Sequence, residues 1–320
     1  VGRKEKLAMH ELLILSQQAD AYLRRIREAD LPDLRLMATR DPNEGAACGS
    51  TCDIVFGEPS LISEIIMRLP NLHWVQSTWA GVEPLLAAGL RRDYVLTNAR
   101  GVFGEDMAEY VLAYLLAYER RILQRHTAQC AGRWDQTPSG TLAGKTIGLM
   151  GVGSIGTVVA RMARHFGMRV KGYTRLSQAC PDVDAYYHGN DWTAFAADID
   201  YLVNVLPNTA ETRRIVNAGF LAALPPRAVF INVGRGSAVD EAALAEALQT
   251  GRLAGAVLDV FEAEPLPAEH IFWRTPNVLI TSHTAALSVP EGITPIFLDN
   301  YRRLLRGEPL WYRVEFDRGY

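Results

Sequence analysis

Cysteine is scarce in this chain of 320 residues, and so is net charge. Four cysteines, Cys48, Cys52, Cys130 and Cys180, are too few for a disulfide framework. Cys48 and Cys52 stand at a Cys-x3-Cys spacing, but no second pair of Cys or His follows at the distance a zinc site needs. No metal site is expected, and the thiols read as free thiols of a cytoplasmic protein. Lys and Arg number 33 against 36 Asp and Glu, a formal net charge of −3. That balance excludes the basic surface of a nucleic-acid binder and gives no hold on an anionic membrane. No apolar run approaches the roughly 18 residues of a membrane span; the longest candidate, Val111 to Tyr118, suits a buried helix. The opening VGRKEKLAMH lacks the apolar stretch of a secretory signal. Residues 1–8 read as an upstream extension or a vector remnant ahead of a start at Met9.

Apolar residues make up 48% of the chain, enough for a large core, and the length suits two domains of roughly 150 residues each. Short apolar runs alternate with helical stretches. Strands are expected over 11–16, 34–39, 52–57 and 72–78, with helices over 18–29 and 60–68. A long helix over 105–131 follows, carrying Leu112, Leu115, Leu116, Tyr118 and Ile122 at helical spacing. A second series places strands at 145–151, 168–174, 199–207, 228–234, 253–261 and 277–283. Its helices cover 157–166 and 241–250, the latter capped by Asp240 and stopped at Gly251. A last helix from about Pro290 uses Phe297, Tyr301, Leu304 and Leu305 as anchors. The alternation predicts an α/β fold of two Rossmann-like, doubly wound parallel sheets, joined by ordered crossovers, with a cleft between the domains.

One absence is chemical. The run Gly151-Val152-Gly153-Ser154-Ile155-Gly156 follows a predicted strand and opens a predicted helix, the context a dinucleotide fingerprint requires. Gly151 permits the tight turn, Gly153 lets backbone approach a pyrophosphate, and Gly156 lets the helix pack close. Ser154 and Ile155 add N–H groups at the helix start. An NAD site places Asp or Glu about 20 residues further on to hold the ribose 2′-hydroxyl. Here the second strand ends Lys171-Gly172-Tyr173-Thr174-Arg175, without a carboxylate. Arg175, with a hydroxyl from Thr174, suits a 2′-phosphate, so NADP(H) is favoured and NAD(H) is the alternative. The plainer reading makes Arg175 a surface arginine stacked over the adenine.

Three further pieces lie at the C-terminal ends of later strands, where open α/β sheets bind ligands. They are Asn232-Val233-Gly234-Arg235-Gly236, the stretch Asp259 to Pro267 with Glu264, and Ser282-His283-Thr284-Ala285-Ala286. Each alone is weak; a single histidine at a strand end is more often structural. Together, and with LPNTAETR at 206–213, they resemble the D-isomer-specific 2-hydroxyacid dehydrogenase family over nearly the whole chain. WAGVEPLL at 79–86, the Thr174-Arg175 pair and DRGY at 317–320 point to its glyoxylate/hydroxypyruvate reductase branch.

The resemblance implies a dinucleotide-binding domain at 99–286. A discontinuous substrate domain takes 1–98 plus 287–320. It implies Arg235 as the anchor of the substrate carboxylate, His283 as proton donor and Glu264 as its partner. Asp259 falls near the nicotinamide, with Leu206, Pro207, Thr212 and Val233 lining the cofactor. The loop of Trp79, Ala80, Gly81 and Val82 would hold the substrate, with Trp134 and Phe103 bearing on pocket width. Two departures stand out: Ser282 where proline often precedes the histidine, and Trp79 where a smaller residue is common. The implied activity is reduction of a small 2-oxo acid by a homodimer, the 105–131 helix contributing contacts. Two rivals share the fold: an NAD-dependent dehydrogenase of larger D-2-hydroxy acids, and a nucleotide-sensing binding protein. The intact set of Arg235, Glu264 and His283 argues against the second, because sensing needs no proton donor.

Overall fold

The computed structural model describes residues 9–319; residues 1–8, read above as an extension, and Tyr320 of the DRGY end lie outside them. The chain divides into two compact units, Val1–Val102 with Ser288–Tyr320, and Phe103–Leu287.

The first unit opens with β1 (His10–Leu15), α1 (Ala19–Glu28), β2 (Leu34–Thr39), α2 (Pro42–Cys48), β3 (Ile54–Gly57), α3 (Pro59–Ile65), β4 (Trp74–Ser77) and β5 (Val95–Thr97). The strands form one parallel sheet in the order β2-β1-β3-β4-β5. Alternate side chains leave each strand on opposite faces. Leu13, Leu15, Val55, Val75 and Leu96 therefore share a core with Ile62 and Ile65 of α3. The helix α2 and the edge strand β5 were absent from the sequence reading. Cys48 ends α2 and Cys52 is buried; burial pushes the Cys52 thiol up to about 12, which makes it a poor metal ligand or nucleophile.

The second unit holds α4 (Gly104–Glu119), α5 (Ile122–Cys130), β6 (Thr146–Met150), α6 (Ser154–His165), β7 (Arg169–Tyr173), β8 (Ala185–Tyr187), α7 (Trp192–Ala196), β9 (Tyr201–Asn204), α8 (Ala218–Ala223), β10 (Val229–Asn232), α9 (Glu241–Gln249), β11 (Gly255–Leu258) and β12 (Val278–Ile280). Its parallel sheet runs β8-β7-β6-β9-β10-β11-β12, so the order reverses between β6 and β9. Both faces are covered, as parallel sheets require. Ile147, Leu149, Val203 and Ile231 face α4 and α6, whereas Met150, Leu202, Phe230 and Leu258 face the side of α8 and α9. Asp240 caps α9 by accepting the Ala243 N–H at 3.1 Å, and Gly251 stops it at φ +67°.

The chain then returns to the first unit as α10 (Pro290–Leu305). Phe297 stacks on Phe56 and Trp74, with ring centroids 5.0 and 5.4 Å apart. Asn300 donates to Gln76 Oε1 at 2.9 Å and accepts the Trp311 N–H at 2.7 Å, which fixes the helix over the remaining face of that sheet. Leu304 and Leu305 are only half-buried.

The expected helix over 105–131 is instead two helices. Arg121 takes the left-handed conformation at φ +55° between α4 and α5. The cause is distant in sequence. The Glu119 carboxylate accepts the Tyr201 hydroxyl at 2.7 Å, and its carbonyl takes the Gly140 N–H at 2.9 Å. The Arg125 guanidinium gathers the carbonyls of Arg120, Asp135 and Thr137. Of the carbonyls released at the helix end, that of Arg120 is thus satisfied by a side chain, as arginine can do there, and that of Glu119 by the Gly140 backbone. Several strands also stop earlier than their apolar runs. Val205, Val233, Val260 and Phe261 continue those runs beyond the ladders, packed beneath the loops that carry the site.

Candidate active site

The glycine turn sits at the end of β6, at the point where the strand order reverses. Gly151 has φ +98°, in the region only glycine enters freely. A Cβ on Gly156 would lie 2.2 Å from the Gly151 carbonyl, so the helix can approach the turn only with glycine there. A Cβ on Gly153 would meet no protein atom within 4 Å, so the space before this backbone is open. The helix α6 begins at Ser154, three residues earlier than expected, with Gly153 as its N-cap. Ser154 and Ile155 therefore present first-turn N–H groups that helix geometry leaves without intrahelical acceptors. The open ground over Gly153 and these donors fit a pyrophosphate.

At the end of β7 no carboxylate follows Tyr173, and Arg175 is exposed. Its charge helps hold the neighbouring Glu211 carboxyl below its ordinary value, behind the larger effects of hydrogen bonds from the Glu211 backbone and the Thr209 hydroxyl. Thr174 is otherwise than expected. Its hydroxyl is buried and donates to the Ser177 carbonyl at 2.6 Å, so it shapes the turn that presents Arg175. In the loop after β9, Leu206 is half-buried and Pro207 exposed, and the Thr212 hydroxyl donates to the Pro207 carbonyl at 2.7 Å. Val233 is buried under the loop after β10.

Arg235 is placed by two buried asparagines. Asn204 donates to Asn232 Oδ1 at 2.8 Å, which also receives the Gly234 N–H at 3.2 Å, while Asn232 Nδ2 binds the Arg235 carbonyl at 3.2 Å. The flanking glycines are obligatory: a Cβ on Gly236 would fall 1.8 Å from the Phe261 carbonyl carbon.

His283 follows β12 with φ +55°, a conformation disfavoured for a residue with a Cβ. Its Nδ1 lies 2.8 Å from Glu264 Oε2, and Glu264 Oε1 accepts the Phe261 N–H at 2.9 Å. An ionised carboxylate only accepts, so Nδ1 carries the proton in this bond and Nε2 is the free edge of a half-exposed ring. The hydrogen bond to Glu264 raises the His283 pKa above its ordinary value; partial burial and the Arg235 charge oppose this, and the charges of Glu264 and Asp259 assist. Burial pushes the Glu264 carboxyl up, but bonds from His283 and Phe261, with the His283 and Arg235 charges, outweigh it and hold it low. The pair is an imidazole whose protonated form is favoured by the carboxylate it is bonded to.

Asp259 is 1% exposed and its oxygens point into its own loop. They accept the Thr281 hydroxyl, the Thr284 N–H at 2.8 Å and the Ala285 N–H at 3.1 Å. Its carboxylate therefore shapes the His283 loop. Thr281 and its neighbour Tyr110, 2.7 Å away through their hydroxyls, were not singled out from the sequence.

The substrate loop expected at 79–82 leaves β4 in the first unit. Asn98 donates to the Ala80 carbonyl at 2.7 Å, and the Ala99 N–H to the Trp79 carbonyl at 3.0 Å. The N–H groups of Ala80, Gly81 and Val82 donate to no acceptor among the described residues. Trp79 is 37% exposed, Phe103 is buried, and Trp134 is 89% exposed.

An Arg, a Glu–His pair and a glycine turn thus stand at strand ends of one Rossmann-type unit. The chain belongs to the D-isomer specific 2-hydroxyacid dehydrogenase family, whose NAD binding domain matches residues 112–285. Glyoxylate/hydroxypyruvate reductase A of Klebsiella pneumoniae subsp. pneumoniae is 36% identical over 217 residues, 68% of this chain and 70% of that protein. A D-isomer specific 2-hydroxyacid dehydrogenase family protein from Aeromonas salmonicida superposes with a TM-score of 0.93 at 39% identity, covering 97% of this chain and 100% of that one. The NADPH-dependent glyoxylate/hydroxypyruvate reductase of Sinorhizobium meliloti, solved with NADP and sulfate, gives 0.86 at 30% identity over 97% and 100%.

Proposed function

We propose that this chain reduces a small 2-oxo acid, of the glyoxylate or hydroxypyruvate kind, to the D-2-hydroxy acid, with NADPH as the preferred donor. The observation that carries the reading is the His283–Glu264 pair, with its free Nε2 edge, on the same unit as the Gly151–Gly156 turn. A bound nicotinamide supplies the hydride, which is chemistry the cofactor brings with it. The residues supply binding and a proton. The N–H groups of Ser154 and Ile155 bind the pyrophosphate, and Arg175 binds the 2′-phosphate. Arg235 grips the substrate carboxylate as a planar fork and polarises the carbonyl. Ala80, Gly81 and Val82 offer N–H groups to substrate oxygen. Protonated His283 gives its Nε2 proton to the carbonyl oxygen as charge gathers there.

The test follows loss of the reduced-nicotinamide absorbance with NADPH and NADH, each against glyoxylate, hydroxypyruvate, pyruvate and phenylpyruvate. NADPH with the two small acids is expected to be fastest. Preference for phenylpyruvate and NADH would move the chain to the larger-substrate reading, and nucleotide binding without any turnover to the sensing one. Arg175→Ala should raise KM for NADPH about tenfold or more while moving that for NADH little, since a charge-assisted bond is worth about 1.5–3 kcal/mol. Equal rises for both cofactors would remove Arg175 from the 2′-phosphate.

The pH profile gives a further expectation. Reduction needs the imidazolium, so kcat/KM should hold on the acid side and fall as pH rises through the raised His283 pKa. Glu264→Gln removes the first cause of that rise, so the basic limb should move to lower pH. A limb that stays in place would show that Glu264 does not set the histidine.

A further inference from the structure

The loop that carries His283 is braced from a helix that holds none of the residues assigned above. We propose that Tyr110 of α4 and Thr281 are positioning residues for proton transfer, forming a directed hydroxyl chain that, through Asp259, locks the His283 backbone in its left-handed conformation. The inference rests on His283 being the proton donor.

The direction of the chain follows from its end. The buried Asp259 carboxylate can only accept, so Thr281 spends its single hydroxyl proton on Oδ1. Thr281 Oγ1 must then accept from the Tyr110 hydroxyl, 2.7 Å away. Burial raises the Tyr110 pKa further above its ordinary value, so the phenol stays a donor at working pH. Hydroxyls aligned head to tail polarise one another, which strengthens the hold on Asp259.

Apart from its N–H, which donates to the Asn232 carbonyl at 3.0 Å, Asp259 makes its other hydrogen bonds on the same loop. Its carbonyl accepts the His283 N–H at 2.8 Å, and its carboxylate accepts the Thr284 and Ala285 N–H groups. These three bonds bracket the one residue of the loop with positive φ. A left-handed non-glycine residue is strained and persists where the surroundings over-determine it. Ser282 occupies the place before the histidine and leaves its backbone free, so the stiffness must come from elsewhere; the Tyr110–Thr281–Asp259 chain provides it.

The groups acting on the imidazole charge are Glu264, Arg235 and Asp259. A loosened loop would lengthen the His283–Glu264 bond first. The brace should therefore register in the pH profile, which a merely structural contact would leave alone.

The experiment compares Tyr110→Phe, Thr281→Val and Thr281→Ser with the unmodified chain and His283→Asn, using NADPH and glyoxylate. Tyr110→Phe breaks one link and should lower kcat about threefold; Thr281→Val breaks both links and should lower it about tenfold or more. Both should shift the basic limb of kcat/KM to lower pH and leave the KM for NADPH unchanged. Thr281→Ser, which keeps the hydroxyl, should restore rate and limb. Tyr110→Phe removes only one oxygen from a half-buried ring, so the question stays answerable if Thr281→Val fails to fold. An unmoved limb with kcat within about twofold in Tyr110→Phe, beside an inactive His283→Asn, would overturn the brace and leave the function standing. A His283→Asn chain as active as the unmodified one would overturn the reading of His283 itself.

Discussion

Replacing His283 by asparagine will cost about 10²–10⁴ in kcat, the range general acid catalysis supplies, while NADPH binding stays near that of the unmodified chain. Asparagine keeps a side-chain amide that can still donate to Glu264, so the loop retains a partner for the carboxylate. What it loses is a group that carries a proton at neutral pH and releases it as charge develops on the carbonyl oxygen. Imidazole has a free edge at Nε2 because Nδ1 is committed to Glu264 at 2.8 Å. Nucleotide binding should survive because the donors of the glycine turn belong to α6 and the end of β6, several strands away in the sheet. Single-turnover measurement of NADPH oxidation separates the two effects. A His283→Asn chain that turns over glyoxylate at near-native kcat would remove the histidine from proton transfer.

How much of this was legible in the sequence depends on how local the cause was. The glycine turn was readable because its geometry is set within six residues: Gly151 needs a positive φ and Gly156 has no room for a Cβ. The fold class followed from apolar runs alternating with helices, since a parallel sheet covered on both faces leaves that imprint. The break at Arg121 left none. No glycine or proline marks it, and the groups that end α4 are Tyr201, Gly140 and the Arg125 fork. Strand ends were overrun for a similar reason, because beyond the ladders Val233 and Phe261 are buried and Val205 is half-buried. Among the site residues, Arg235, Glu264 and His283 came from motifs at strand ends. The expectations for Thr174 and Asp259 named residues whose side chains the fold spends on their own turns, at the Ser177 carbonyl and the His283 loop. Tyr110 was hidden because a tyrosine in the apolar face of a helix looks like core packing, and its partner lies 171 residues away.

Arg235 carries the second large effect, and its sign distinguishes it from Glu264. Arg235→Ala should raise KM for glyoxylate about tenfold to a hundredfold, the equivalent of one charge-assisted hydrogen bond, and lower kcat as well because the carbonyl loses its polarising partner. The guanidinium also acts on the proton donor. Its charge opposes protonation of His283 and helps to keep the Glu264 carboxyl ionised. Without it the imidazolium should persist to higher pH, so the basic limb of kcat/KM should move up, opposite to the shift expected for Glu264→Gln. Arg235→Lys keeps the positive charge but not the planar fork. It should hold the limb nearly in place while recovering only part of the KM. Arg235 has extended backbone, at φ −138° and ψ 142°, which alanine and lysine also adopt without strain, so the comparison is between side chains. If Arg235→Ala left KM for glyoxylate unchanged and the limb unmoved, the carboxylate anchor would have to be sought in other residues, and the pairing of one charge with both substrate and acid would be lost.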